Sequence, residues 1–138
     1  MKIGYTCGVY DLFHVGHLNI LKAAKSMCDH LIVGITVDEL VSYKGKKTVI
    51  PYEDRAKIVE AIRYVDTVVP QTSVDKVEAC RRLKYDVLFV GDDWYGHDSW
   101  KSYEAALGEM GVKVVYFPYT SHVSTSSLKD ILKEHKDV

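Results

Sequence analysis

The 138-residue chain has no excess of either charge. Its 18 Lys and Arg stand against 19 Asp and Glu, for a formal net charge of −1. It therefore lacks the basic field that draws a protein to nucleic acid, and no nucleic-acid partner is expected. No apolar run approaches the ~18 residues that a membrane span needs. A charged start followed by an apolar stretch is also missing, so no export signal is read. The expectation is a cytoplasmic protein with no membrane partner. Cysteine is scarce as well: Cys7, Cys28 and Cys80 are odd in number and show no CxxC spacing. They read as buried thiols rather than as disulfides or zinc ligands. Repeats, low-complexity stretches and linkers are absent, and the length suits one domain over residues 1–138.

What the chain does have is alternation. Strand-like runs are expected over 3–7, 31–36, 67–69, 87–90 and 112–117, the third ended by Pro70. Helical spacing is expected over 15–27, 52–62, 74–83, 100–110 and 126–135. Val- and Ile-rich strands with no polar face imply a parallel sheet covered on both sides. The expected class is α/β, a doubly wound five-stranded parallel sheet. Ligands of such folds bind beyond the carboxyl ends of the strands. The loops after the first, fourth and fifth strands should then share one cleft.

The segment GVYDLFHVGH falls between the first strand and the first helix. His14 and His17, three apart at a helix start, place two imidazoles on one face. Gly16 between them leaves room for a phosphate to meet backbone N–H groups. Imidazoles can donate hydrogen bonds to phosphate oxygens as charge builds on them. A metal pair completed by Asp11, or a plain helix cap, are the other readings of these residues.

Four further groups carry chemistry. Lys44, Lys46 and Lys47 surround Gly45 in a loop after the second strand and can neutralise phosphates. Arg55 and Arg63 flank the helix over 52–62, as functional cations or as surface salt bridges. Asp92, Asp93 and Trp94 follow the VLFV strand, where carboxylates meet a magnesium ion, a ribose or an amine, or form a solvated turn. Ser124, Thr125, Ser126 and Ser127 open the last helix, where hydroxyls and free amides bind phosphate. Ser127 with Asp130 would otherwise form an ordinary capping box.

Taken in order, GVYDLFHVGH, the Lys44 and Lys46 loop, YEDR, RYVD, GDDW and the Ser/Thr-rich helix start resemble the small bacterial cytidylyltransferases. Those acting on glycerol 3-phosphate are nearest. HxGH marks the wider nucleotidyltransferase superfamily with its Rossmann-like fold; RYVD and GDDW narrow it. The resemblance implies transfer of CMP from CTP to a phosphorylated alcohol, with pyrophosphate released, Mg²⁺ carried with CTP, and a homodimer. It implies that His14 and His17 stabilise the transition state and that Lys44 and Lys46 hold phosphates. Gly8, Val9, Tyr10, Asp11, Gly16, Asp92, Trp94, Thr120, Ser124 and Thr125 would contact nucleotide. Arg55, Arg63, Asp66, Asp93 and Tyr119 would lie on the acceptor side.

The chain departs from that pattern in two places. Val9 stands where the family has Thr. Tyr119, Ser121 and His122 replace the Arg, Glu and Gly of its RTEGIST segment. The acceptor thus stays open among glycerol 3-phosphate, another polyol phosphate, phosphoethanolamine and phosphocholine. An adenylyltransferase of the same fold that makes FAD, and a non-catalytic nucleotide sensor, are the alternatives.

Overall fold

The computed structural model describes residues 1–43, 45–91, 96, 98–118 and 124–134, without the side chains of Ser99 and Glu134. The elements run β1 (Ile3–Gly8), α1 (Val15–Lys25), β2 (His30–Thr36), α2 (Asp38–Tyr43), α3 (Tyr52–Glu60), β3 (Thr67–Gln71), α4 (Lys76–Leu83), β4 (Val87–Gly91), α5 (Asp98–Glu109), β5 (Lys113–Phe117) and α6 (Thr125–Glu134). All strand pairs are parallel, in the order β3-β2-β1-β4-β5. The order reverses between β1 and β4, which opens a crevice above their carboxyl ends.

Side-chain alternation along the strands divides the core in two. Tyr5, Ile32 and Leu88 face α4 and α5, packing with Ala79, Cys80, Trp100 and Leu107. Leu31, Val33, Ile35, Val87 and Phe89 face α1 and α3, packing with Leu21, Ala24 and Val59. Each such apolar side chain contributes about 1.5–3 kcal/mol when fully buried. Gly34 is small for a reason: a Cβ there would run into the Tyr5 hydroxyl. Cys7 and Cys28 are half-buried free thiols and Cys80 is a buried one.

The structure departs from the expected boundaries in four respects. β3 continues through Pro70, in register with Ile35, to Gln71. It is an edge strand, so the missing N–H of proline costs no ladder bond. α2 was not anticipated; its six residues are too few to show helical periodicity. α4 begins at Lys76 because Asp75 caps it, accepting from the amides of Val77 and Glu78 at 2.9 and 3.2 Å. The box at α6 joins Ser124 and Ser127, each hydroxyl accepting from the other's amide at 3.0–3.1 Å, and Asp130 is not its partner.

One buried cation ties the loops around the crevice together. Arg55 of α3 is wholly buried. Its guanidinium donates to the carbonyls of Val9 (2.7 Å), Thr36 (2.8 Å) and Ile50 (2.8 Å) and to Asp38 (2.6 Å). The tips of β1 and β2 and the loop before α3 thus meet on one side chain. Asp38 also accepts from Thr48 and from the amide of Tyr52, both at 3.2 Å. Arg55→Ala would strand three carbonyls and open a cavity. It should lower unfolding free energy by about 3–5 kcal/mol in denaturant titration, and Arg55→Lys should recover only part, since an ammonium cannot span the fork. A loss under about 1 kcal/mol in Arg55→Ala would refute this role.

Candidate active site

β1 leaves the sheet at Gly8, where a Cβ would lie 3.1 Å from the Tyr10 ring. The chain then turns sharply, with Tyr10 and Leu12 at φ 54° and 48°. Non-glycine residues adopt this conformation only when packing enforces it, at about 1–3 kcal/mol each. Tyr10 is pinned by its buried ring, whose centroid lies 5.2 Å from that of His17. Asp11, 2% exposed, accepts from the amides of Val49 (2.8 Å) and Ile50 (3.0 Å) and pairs with Lys129 of α6 at 3.2 Å. Burial pushes its carboxyl up, yet the two amides and Lys129 outweigh that and hold it below the usual range. Asp11, expected from sequence as a nucleotide contact, has its carboxylate engaged as a strut joining the loop over 45–50 to α6 and does not line the described cleft.

α1 begins with a reciprocal cap made of two histidines. His14 Nδ1 accepts from the amide of Gly16 at 3.0 Å, and His17 Nδ1 accepts from the amide of His14 at 3.2 Å. The Gly16 N–H is thereby used within the helix start, contrary to the reading that a phosphate meets it. Since each Nδ1 accepts, each ring carries its proton on Nε2. A second bond agrees. Thr125 donates its hydroxyl to the Asp11 carbonyl at 2.9 Å and lies 3.4 Å from His14 Nε2, which leaves it to accept from that N–H. The rings stack at 3.9 Å. Burial lowers His14 below the ordinary imidazole range. Burial, then the neighbouring His14, takes His17 down to about 4. Both are neutral donors at pH 7. A metal triad with Asp11 does not fit, as its carboxylate and both Nδ1 atoms are engaged elsewhere. Among the described residues no three His, Cys, Asp or Glu side chains converge on a metal position.

The cleft beside this helix start has a volume of about 480 Å³. Gly8, Val9, Tyr10 and His17 form one bank; Val74, Lys76, Trp100 and Tyr103 form the other. The last four were missed in the sequence, although Trp100 and Tyr103 of α5, in edge contact at 5.4 Å, show the aromatic spacing that could have suggested them. Lys46 is exposed on the loop that Asp11 anchors, and Ser124 is exposed at the start of α6. Arg55 does not line the cleft, contrary to expectation, because its donors are spent inside the protein. Asp66 is also displaced: it precedes β3 at the amino ends of the strands, accepting from the amide of Leu31 (2.8 Å) and from Lys25 (2.5 Å). Arg63, with Leu18, Ala61, Ile62 and Tyr64, lines a separate depression of about 310 Å³. Lys44, Asp92, Asp93, Trp94, Tyr119, Thr120, Ser121 and His122 lie outside the described residues.

A crevice at the turning point of a parallel sheet, with paired neutral imidazoles at a helix start, defines a nucleotidyltransferase-type site. The chain belongs to the cytidylyltransferase-like family, whose model matches residues 5–135. It is 37% identical over 131 residues to the glycerol-3-phosphate cytidylyltransferase of Bacillus spizizenii, covering 94% of this chain and 95% of that protein. It is 36% identical to the FAD synthase of Pyrococcus abyssi, covering 95% and 90%. A solved lipopolysaccharide core biosynthesis protein from Thermoplasma volcanium GSS1 shares the fold at TM-score 0.73 and 22% identity, covering 89% of this chain and 99% of that one.

The cap makes the histidines sensitive to acid. Protonating Nδ1 destroys an acceptor that the helix start uses. The folded His17 titrates near 4, against about 6.5 when unfolded, so the unfolded chain binds the proton first as pH falls. Stability should be complete above about pH 6.5 and decline between there and pH 4. NMR titration of the ring protons should place the His17 midpoint well below 6. A midpoint of 6.5 or higher would contradict the cap.

Proposed function

We propose that this protein transfers CMP from CTP to a phosphorylated alcohol, glycerol 3-phosphate first among them, and releases pyrophosphate. The observation that carries the reading is the neutral, mutually capping histidine pair at the start of α1, of which His17 lines the cleft. Its support is the near full-length likeness to a glycerol-3-phosphate cytidylyltransferase. An oxygen of the acceptor phosphate attacks the α-phosphorus of CTP and forms the new P–O bond. The bond from that phosphorus to the bridging oxygen breaks, and its electron pair leaves with pyrophosphate. The attacking oxygen is already anionic, so no side chain need remove a proton. This suits imidazoles kept neutral, whose task is to donate as charge grows on the transferring phosphoryl group. Lys44 and Lys46 would neutralise phosphate charge from their loop, and Ser124 would offer its hydroxyl at the start of α6.

Mg²⁺ belongs with CTP in this scheme. The described cleft residues include no carboxylate, so they do not fit a resident magnesium site. The proposal includes a homodimer, with the Arg63 and Asp66 region near the subunit contact, acting in the cytoplasm. The likeness to an FAD synthase supports a second reading, in which ATP and FMN are the substrates.

Pyrophosphate release measured with CTP or ATP against glycerol 3-phosphate, phosphocholine, phosphoethanolamine and FMN separates these readings. Turnover is expected with CTP and glycerol 3-phosphate; turnover confined to ATP and FMN would reject the proposal. His14→Ala and His17→Ala should each lower kcat about 10²- to 10³-fold while CTP affinity changes little. Rates within twofold of the parent in both would remove the histidines from the mechanism. Lys46→Ala should raise KM yet leave Tm within about 2 °C, because an exposed charge contributes little to folding. A large fall in Tm would make the loop structural instead.

A further inference from the structure

Three hydroxyl-bearing side chains line the described cleft: Thr6, Tyr10 and Tyr103. The fold takes up two of them. Thr6 is buried and donates to the Phe89 carbonyl at 3.0 Å. The Tyr10 phenol is buried beside Thr6. Tyr103 differs. It is half-buried, and its hydroxyl makes no hydrogen bond among the described residues. A phenol can both donate and accept, so this one is available to a polar group of a ligand.

The ring of Tyr103 is nonetheless held in place. Trp100, Tyr103 and Leu107 recur at i, i+3 and i+7 along α5 and so share one helix face. Trp100 and Leu107 are buried in the core with Tyr5 and Leu88, and Tyr103 packs at its margin. The Trp100 ring meets that of Tyr103 edge-on at 5.4 Å. A side chain fixed in this way has little freedom left to lose when a ligand arrives.

Its place relative to the histidines shows which part of the reaction it meets. α1, which carries His14 and His17, packs on one face of the sheet; α4 and α5 pack on the other. In-line displacement requires the attacking oxygen and the leaving pyrophosphate on opposite sides of the α-phosphorus. The α1 start and the loop around Lys46 serve the triphosphate, which leaves the bank of α5 to the acceptor. Val74, exposed on that bank, offers apolar surface to a carbon chain. We propose that Tyr103 is a specificity-determining residue. Its phenol hydrogen-bonds a hydroxyl on the acceptor's carbon chain and so selects phosphorylated polyols over acceptors that lack that hydroxyl. This inference rests on the cytidylyl-transfer reading above.

Steady-state kinetics with glycerol 3-phosphate and its two deoxy analogues, 2-hydroxypropyl phosphate and 3-hydroxypropyl phosphate, test it. The unaltered protein should prefer glycerol 3-phosphate to one of the analogues by about 3- to 12-fold in kcat/KM, the range for a single neutral hydrogen bond. Tyr103→Phe removes only the hydroxyl. It should lower kcat/KM for glycerol 3-phosphate by the same factor, leave the disfavoured analogue unchanged and keep the KM for CTP within about twofold. Equal use of all three acceptors by the unaltered protein, a comparison that needs no variant, would overturn the assignment. So would discrimination that survives in Tyr103→Phe, or a rise in the KM for CTP in place of an acceptor effect, which would give the phenol to the nucleotide. If the unaltered protein fails to use CTP with glycerol 3-phosphate, the proposed reaction falls and the role of Tyr103 with it. Turnover with discrimination untouched by Tyr103→Phe removes the role of Tyr103 alone.

Discussion

The buried guanidinium of Arg55 is the constraint on which the site depends. Three backbone carbonyls and one carboxylate converge on it, from the tips of β1 and β2, the loop before α3 and the start of α2. None of these segments has a regular partner where it leaves the sheet or helix, and a buried carbonyl without a donor is costly. A planar fork of five N–H groups can satisfy several of them at once, which an ammonium cannot. The loops are thus fixed relative to one another before any substrate arrives. That preorganisation is what a phosphoryl-transfer site requires, because positioning and electrostatics supply nearly all of its catalysis.

Asp11 does the complementary work on the other side of the turn. Its carboxylate gathers two amides from the loop over 45–50 and the ammonium of Lys129 from α6. Thr125 adds a bond from α6 to the Asp11 carbonyl and accepts from His14. The last helix, the lysine loop and the histidine cap are therefore one connected unit. A residue whose type suggested ligand contact has its carboxylate committed to positioning the loop and helix around it.

The histidine cap links folding and chemistry in the same bonds. Using Nδ1 as the capping acceptor starts α1 and leaves the proton of each ring on Nε2, where that of His14 meets Thr125. Burial keeps both rings neutral, so the donors carry no charge of their own to be solvated in the free protein. The site thereby keeps donors ready for the charge that develops on the transferring phosphoryl group, while the reaction needs no general base.

Much of this was legible in the sequence. Unbroken Val and Ile runs revealed the parallel sheet, because strands buried on both faces have no polar face to alternate. The HVGH spacing revealed the paired imidazoles, because helical geometry is local. Other features were hidden. Pro70 suggested a strand end until the edge position of β3 made its missing N–H harmless. Arg55 looked like any cation on an amphipathic helix, and Asp11 like a ligand carboxylate; only packing showed that both point inward. Lys76 carried no signal in the sequence, since the cleft it lines is formed by segments far apart in the chain. The sequence by itself determined the elements and the chemical groups available, through periodicity and local spacing. Which of those groups face substrate and which hold the loops was decided by the tertiary structure, because burial and partner choice depend on residues tens of positions apart in the chain.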